Sequence, residues 1–317
     1  MQIKFLKYSS LSLLLIFSPI LQSNYLSQTN IVLIGDSGKN NQGQMDVSLA
    51  LQDLCSKEDC NLGILAGDNV YPAGVTSSTD PILETVFDNY YNQLNFPFVV
   101  ALGNHDYGRY GLNAIRASYQ LQHAKKNPAF LLPHYWYVHD TPETVFAVID
   151  TTRLMWKRDV FVQARMVEAA YLKAKAENKW FMVVGHHPYR SNGPHGNAGR
   201  YERVPYPYFV SGKHIKRFVD LHVCGKAHFY LAGHDHSLQV IDGNNVGCNT
   251  QLIVSGSAAS ATKLSSRNKV KFESLQLGFF HLSIEPNKVR VRAFNQATEM
   301  LYEEYFTKAN RDLAASE

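Results

Sequence analysis

No apolar run beyond residue 21 is long enough for a transmembrane helix. No Pro/Ser-rich linker, internal repeat or low-complexity block interrupts the chain, so nothing in the composition marks a domain boundary. Charge of either sign is not in excess: 31 Lys and Arg stand against 27 Asp and Glu, which leaves no basic footprint for nucleic acid. No Asn-x-Ser/Thr sequence occurs, which fits a bacterial export route better than a eukaryotic secretory one. Cysteine is scarce, at four residues in 317, too few for a disulfide-dense scaffold.

What is present begins at the N-terminus. Lys4 and Lys7 precede an apolar stretch, Leu11 to Leu21, broken by Ser18 and Pro19 and followed by small Ser23. This reads as an export signal over residues 1–23, leaving 24–317 as a single domain in the periplasm or outside the cell. The stretch is short for a membrane span, and no Cys follows it for lipid attachment; an uncleaved anchor is the alternative. Without Lys4 and Lys7, 29 basic residues face 27 acidic ones. The four cysteines fit an oxidising compartment. Three connectivities are possible; locality favours Cys55–Cys60 with Cys224–Cys248, and a zinc site on Cys55 and Cys60 is the weaker alternative.

Five short clusters carry the chemistry. They are Gly35-Asp36-Ser37-Gly38 after Ile31–Ile34, Gly67-Asp68-Asn69-Val70-Tyr71 after Gly63–Ala66, and Gly103-Asn104-His105-Asp106 after Phe98–Leu102. Gly185-His186-His187-Pro188 follows Phe181–Val184, and Gly233-His234-Asp235-His236 follows Phe229–Ala232. Short apolar runs suit buried strands, and ligands of open α/β sheets gather at strand carboxyl ends. A lone Gly-Asp there is an ordinary turn; five in succession are not. Asp, Asn and His are oxygen and nitrogen donors, so five such turns on one sheet edge could hold a metal pair.

Between the clusters, helical spacing runs from about Gln42 to Leu54 and from Phe161 to Ala176. Pro81, with Asp80 as cap, opens a helix to Tyr91. Tyr107 to Pro133 reads as a polar, irregular, lid-like insertion, and Pro188 to Tyr208 as a loop over the cleft. Strands are expected at Tyr135–Val138 and Thr144–Ile149, then at Leu238–Ile241, Gln251–Val254, Phe279–Ile284 and Val289–Phe294. Alternating helices and strands followed by a late run of strands predict an α/β fold of two packed mixed sheets with helices outside.

The order of the clusters resembles the metallophosphoesterase, or calcineurin-like, signature. Tyr71, three residues after Asp68, narrows the resemblance to the purple acid phosphatases, most like the small tartrate-resistant acid phosphatases. The resemblance runs from about Ile31 to Ser257 and includes His195, nine residues after His186. It implies a four-layer α/β/β/α sandwich with a binuclear metal site at the strand carboxyl ends. Asp68 is the implied bridge. One metal, Fe(III), falls to Asp36, Asp68, Tyr71 and His236; the other, Fe(II), Zn(II) or Mn(II), to Asp68, Asn104, His186 and His234. A phenol of ordinary pKa near 10 stays ionised only beside a strongly polarising cation, and ligand type does not choose among borderline divalent ions.

His105 has no metal role in that pattern and is expected to hold the substrate oxygen or protonate the leaving alcohol. Asp106 either orients His105 or caps its turn. His195 matches the second substrate-facing histidine. Two positions depart from the family: His187 replaces an aromatic and is expected beside the site rather than as a ligand, and Ser37 replaces an aromatic lining the cleft. His123, His134, His139, His214, His222, His228 and His281 have no motif context and read as surface or core residues.

The reading is an exported, monomeric, binuclear-metal acid phosphatase. It cleaves small phosphate monoesters with a metal-activated hydroxide and has no nucleic-acid partner and no stable membrane insertion. Its rivals are a manganese- or zinc-dependent phosphodiesterase on the same fold, with Tyr71 merely nearby, and a secreted metal- or phosphate-binding protein without catalysis.

Overall fold

The computed structural model describes residues 28–108, 111, 113–199 and 210–308. The export signal expected over residues 1–23 lies outside them, as does the 200–209 part of the loop expected from Pro188.

Among the described residues the strands are β1 Thr29–Ile34, β2 Leu62–Ala66, β3 Phe98–Ala101, β4 Phe130–Leu131, β5 Tyr137–Asp140, β6 Thr144–Val148 and β7 Trp180–Val184. They continue as β8 Phe229–Ala232, β9 Leu238–Ile241, β10 Gln251–Ser255, β11 Phe272–Ser274, β12 Gly278–Ile284, β13 Lys288–Asn295 and β14 Met300–Thr307. Sheet one has the order β14-β13-β12-β1-β2-β3-β4, and sheet two β11-β9-β10-β8-β7-β6-β5. Both are mixed: β1 pairs parallel with β2 and antiparallel with β12, while β10 pairs parallel with β8 and antiparallel with β9.

The apolar runs are continuous because both faces of these strands are covered. Along sheet two, Phe146, Val148, Met182, Val184, Phe229 and Leu231 join the core shared with sheet one. Their neighbours Val145, Ala147, Phe181, Val183, Tyr230 and Ala232 point the other way, as the two-residue strand period requires, and pack with Val167, Ala170, Ile215 and Val219. Those last four sit on helices Val160–Ala176 and Gly212–His222. Against sheet one lies helix Gln42–Lys57, burying Val47, Leu51 and Leu54 and capped by the Asn41 side chain, which accepts from Gln44 N–H at 2.9 Å. The result is the expected sandwich of two mixed sheets with flanking helices.

The Asp80 carboxylate accepts from Ile82 N–H at 3.0 Å, opening the expected helical stretch, which passes through a π turn at Glu84–Asp88. Cys55–Cys60 and Cys224–Cys248 are bonded. The insertion from Tyr107 is more regular than expected, for it contains helix Ala114–Ala124, capped by Asn113, and strand β4. Its polar composition masked it, because the inward face uses Gln120, fully buried and hydrogen-bonded to Asp106 at 2.7 Å, where an apolar residue would have shown the period. Helix Gly212–His222 and strands β11 and β14 were also not anticipated; β14 is only partly buried and its alternation is weak. No described helix is long and apolar enough to cross a membrane.

Candidate metal centre

Five turns meet at one end of the sandwich. Three follow the adjacent strands β1, β2 and β3 of sheet one; two follow the adjacent strands β7 and β8 of sheet two. Backbone bonds tie them sideways: Asp36 N–H donates to Gly67 O and Gly233 N–H to His186 O, each at 3.0 Å. The turns approach too closely for a side chain at their glycines. A Cβ on Gly67 would lie 2.6 Å from His186 Nδ1, and one on Gly103 2.2 Å from Asp68 Oδ1. Asp36, Asp68 and His234 have φ of 59°, 55° and 70°. Asp and His tolerate this left-handed region better than most residues, and such strain concentrates at functional sites.

The side chains converge as two sets of four donor atoms. The Tyr71 hydroxyl lies 2.9 Å from both Asp36 Oδ1 and Asp68 Oδ2, and 3.2 Å from His236 Nε2. His186 Nε2 lies 3.1 Å from both Asn104 Oδ1 and His234 Nδ1, and 3.4 Å from Asp68 Oδ2. Asp68 Oδ2 belongs to both sets. Donors about 2.1 Å from an ion stand about 3.0 Å apart when cis in an octahedron and about 3.4 Å apart in a tetrahedron. The observed spacing therefore fits one cation in each set, with a carboxylate oxygen shared.

Backbone groups aim these donors. Asp36 Oδ2 accepts from His234 N–H at 2.7 Å and Asp68 Oδ1 from His105 N–H at 2.8 Å, so each carboxylate turns its other oxygen inward. His186 Nδ1 faces Ala66 O at 2.9 Å. A carbonyl only accepts, so Nδ1 carries the hydrogen and Nε2 keeps its lone pair for the centre.

The electrostatics are those of a site crowded with like groups. Burial, then the Asp36 and Asp68 carboxylates, hold the Tyr71 phenol well above its ordinary pKa. Burial pushes the Asp68 carboxyl up, but the His186 ring and then His105 outweigh it and draw it below the usual range. Burial alone would lower His186; Asp68 and Asp36 raise it to about 9. His234 is driven well below its ordinary value by burial and by four neighbouring imidazoles. A cation at each set would answer both demands, screening the anions from one another and accepting the neutral imidazoles as ligands.

His105 lies outside both sets. Its Nδ1 is 2.6 Å from Pro72 O, so Nε2 faces inward, 4.0 Å from Asp68 Oδ2, while the side chain stays 27% exposed at the rim. The His195 ring lies 4.1 Å from that of His234, and the His195 backbone N–H donates to Asp235 Oδ1 at 3.0 Å. His187 is beside the site: its ring nitrogen meets Thr151 Oγ1 at 2.7 Å, although it stands close enough to His186 and His234 to share a cation with them.

Of the two roles open to Asp106, the structure shows the turn cap: fully buried, its carboxylate accepts from Gly103 N–H of its own turn at 2.8 Å and from Asn69 and Val70 N–H of the neighbouring turn at 3.0 and 3.1 Å. One expectation is corrected. Ser37 does not line the cleft, since it is buried against the Tyr91 hydroxyl. Three residues were missed. Lys39 sits over the Tyr71 ring at 4.8 Å, its pKa lowered by burial against the pull of Asp36 and Asp68, and donates to Ser260 Oγ at 2.6 Å. Ser260 in turn meets His236 Nδ1 at 2.8 Å. Asp235 anchors the His195 loop through two backbone N–H groups. Lys39 and Asp235 adjoin or lie within the clusters and were open to inspection there; Ser260 carries no local signal.

Comparison with known proteins agrees with this architecture. Residues 29–238 match the family described as calcineurin-like phosphoesterase. Purple acid phosphatase 3 of Arabidopsis thaliana is 27% identical over 287 residues, spanning 83% of this chain and 73% of that protein. Tartrate-resistant acid phosphatase type 5 of Mus musculus is 26% identical over 257 residues, spanning 71% of this chain and 72% of that one. Among solved structures, GAP50, the anchor in the inner membrane complex of Plasmodium, superposes with a TM-score of 0.65 at 19% identity, covering 91% of this chain and 94% of its own. At that identity the likeness speaks to fold alone.

Proposed function

We propose that this chain, which belongs to the calcineurin-like phosphoesterase family, is an exported acid phosphatase that hydrolyses small phosphate monoesters at a binuclear metal centre. The observation that carries the reading is the Tyr71 hydroxyl, 2.9 Å from both Asp36 and Asp68. Asp36, Asp68, Tyr71 and His236 would hold Fe(III). Asp68, Asn104, His186 and His234 would hold Fe(II), Zn(II) or Mn(II). Bound there, the pair supplies Lewis acidity for the phosphoryl oxygen and an activated water at ordinary pH.

The chain's own residues do the rest. His105 gives its Nε2 proton to the departing alcohol oxygen while Nδ1 stays bonded to Pro72 O, which fixes the ring plane. His195 presents its ring to a phosphoryl oxygen, and Asp235 keeps its loop in place. Lys39, at the rim, adds positive charge where an anionic substrate enters. Export removes residues 1–23, and residues 24–317 act as a single monomeric domain.

Metal analysis with a visible spectrum tests the reading, alongside turnover of an aryl phosphate monoester and the matching diester. Tyr71 phenolate on Fe(III) gives a charge-transfer band, so iron-loaded protein is expected to be pink to purple and Tyr71→Phe to bleach it. The monoester is expected to be the better substrate. Colourless, iron-free protein that prefers the diester would transfer the assignment to a manganese- or zinc-dependent phosphodiesterase.

A further inference from the structure

Beyond residue 238, where the family match ends, the chain returns to the site once more. Between β10 and β11, residues 256–271 form neither helix nor strand. This segment first meets His236: Ser260 Oγ lies 2.8 Å from its Nδ1, and Thr262 N–H donates to its carbonyl at 2.9 Å. It then reaches residues 191–197, the turn that carries His195. Arg267 Nη1 donates to Ser191 O at 2.8 Å and to Gly193 O at 3.1 Å. Ser265 N–H donates to Asn192 O at 2.8 Å. Asn268 adds a second donor to Ser191 O, at 3.0 Å, and its N–H meets Asn192 Oδ1 at 2.6 Å.

A turn outside any helix or strand must find partners for its backbone groups elsewhere. Here three successive carbonyls, of buried Ser191 and Asn192 and of Gly193, accept from this one segment. Two of their bonds come from a single guanidinium, a charge-assisted and planar donor. The same guanidinium lies against Gly196, where a Cβ would stand 3.1 Å from Arg267 Cζ. The amides of the turn have a different holder, since Asp235 accepts from His195 and Gly196 N–H. His195 therefore sits between two anchors, one on its carbonyl side and one on its amide side. Such fixing matters for a reacting group, because a misplacement of about 1 Å costs on the order of 10²-fold in rate.

We infer that Arg267, supported by Asn268, is a positioning residue of the reaction: it holds residues 191–197 so that the His195 ring meets the phosphoryl group in one place, without itself touching substrate. The inference rests on the phosphatase reading, in which His195 faces a phosphoryl oxygen.

The test is a double-mutant cycle on p-nitrophenyl phosphate turnover by the metal-loaded protein, crossing Arg267→Met with His195→Ala and measuring metal content on each preparation. Arg267→Met is expected to lower kcat/KM about tenfold when His195 is present, and by less than about twofold once it is gone. Metal content should not change. Arg267→Lys, which keeps the charge and can still donate to the carbonyls, should recover most of the loss. Lys263 is an exposed cation of the same segment that forms no hydrogen bond to the turn, so Lys263→Met should leave turnover unaltered. An equal loss in both backgrounds, no loss in either, a His195→Ala variant of full activity, or a Lys263→Met effect matching that of Arg267→Met would overturn the positioning role while leaving the phosphatase standing. Metal lost with Arg267→Met would overturn it as well. A wild-type protein without turnover takes both readings down.

Discussion

Arg292, 4% exposed on β13, next to the edge strand of sheet one, lies against Glu58 and His281 much as Asp68 lies against Tyr71 and His186 at the sandwich end, yet the two buried clusters are built oppositely. Arg292 grips Glu58 with both terminal nitrogens and donates to His281 Nδ1 at 2.8 Å. Burial, then Arg292, drives His281 down to about 4, so it stays neutral. One cation, one anion and one neutral ring close the charge account within the chain. At the other cluster Asp36 and Asp68 share a phenol, three imidazoles crowd behind, and Lys39 stands only at the rim. Buried ionic groups are therefore not in themselves a sign of function. The sign is a set of donors aimed at one another with no partner of opposite charge between them.

The sharpest way to break the contrast is at Asp68. Asp68→Asn is expected to abolish turnover and empty both metal sets together, because one carboxylate serves both; two metals per chain with normal activity would refute the bridge. Next comes His105→Ala, which should keep both metals and lose about 10²–10⁴ in kcat, the range for a general acid. Metal content measured on the same preparation separates this from a ligand role.

Changes at the other cluster should move stability and not chemistry. Arg292→Leu strands Glu58, which is 32% exposed and so partly rescued by water; a loss of roughly 1–3 kcal/mol in urea unfolding is expected, below the 3–5 of a fully buried broken pair. A fall in kcat per folded molecule would erase the distinction. The smallest effect is pH dependence. The His281 pKa is lower folded than unfolded, so the unfolded chain binds the extra proton. Stability should rise with pH from about 4 to about 6.5 and be lost as pH falls through that window, by about 1–2 kcal/mol at pH 5. His281→Gln, facing Arg292, Glu58 and Arg290, should flatten this slope in thermal unfolding followed between pH 5 and 7.

Much of this was legible in the chain. The five strand-to-turn clusters place their donors because an apolar run buried on both faces must end in a polar turn, and the residues of those turns are the ones that converge at the end of the sandwich. What stayed hidden depends on contacts distant in sequence. Asp106 follows His105 directly, yet besides capping Gly103 in its own turn its carboxylate reaches the β2 turn, since a fully buried acid takes whichever amides the fold brings beneath it. Ser260 reaches His236 across 24 residues, and Gln120 conceals a helix by burying an amide where the period calls for an apolar residue. Neither propensity nor spacing carries such information; only the packed sheets do.

Neither donor set is complete on one sheet. Asp36, Asp68, Tyr71 and Asn104 follow strands of sheet one, and His186, His234 and His236 follow strands of sheet two. An unfolded chain scatters these seven residues between positions 36 and 236, so ion affinity at the proposed sets would be linked to the native state. At a thousandfold excess over the dissociation constant, each ion so held would add about 4 kcal/mol to folding. Cations held there would be rivets through the seam between two half-sandwiches, and a chelator would then act on this protein as a denaturant with an address.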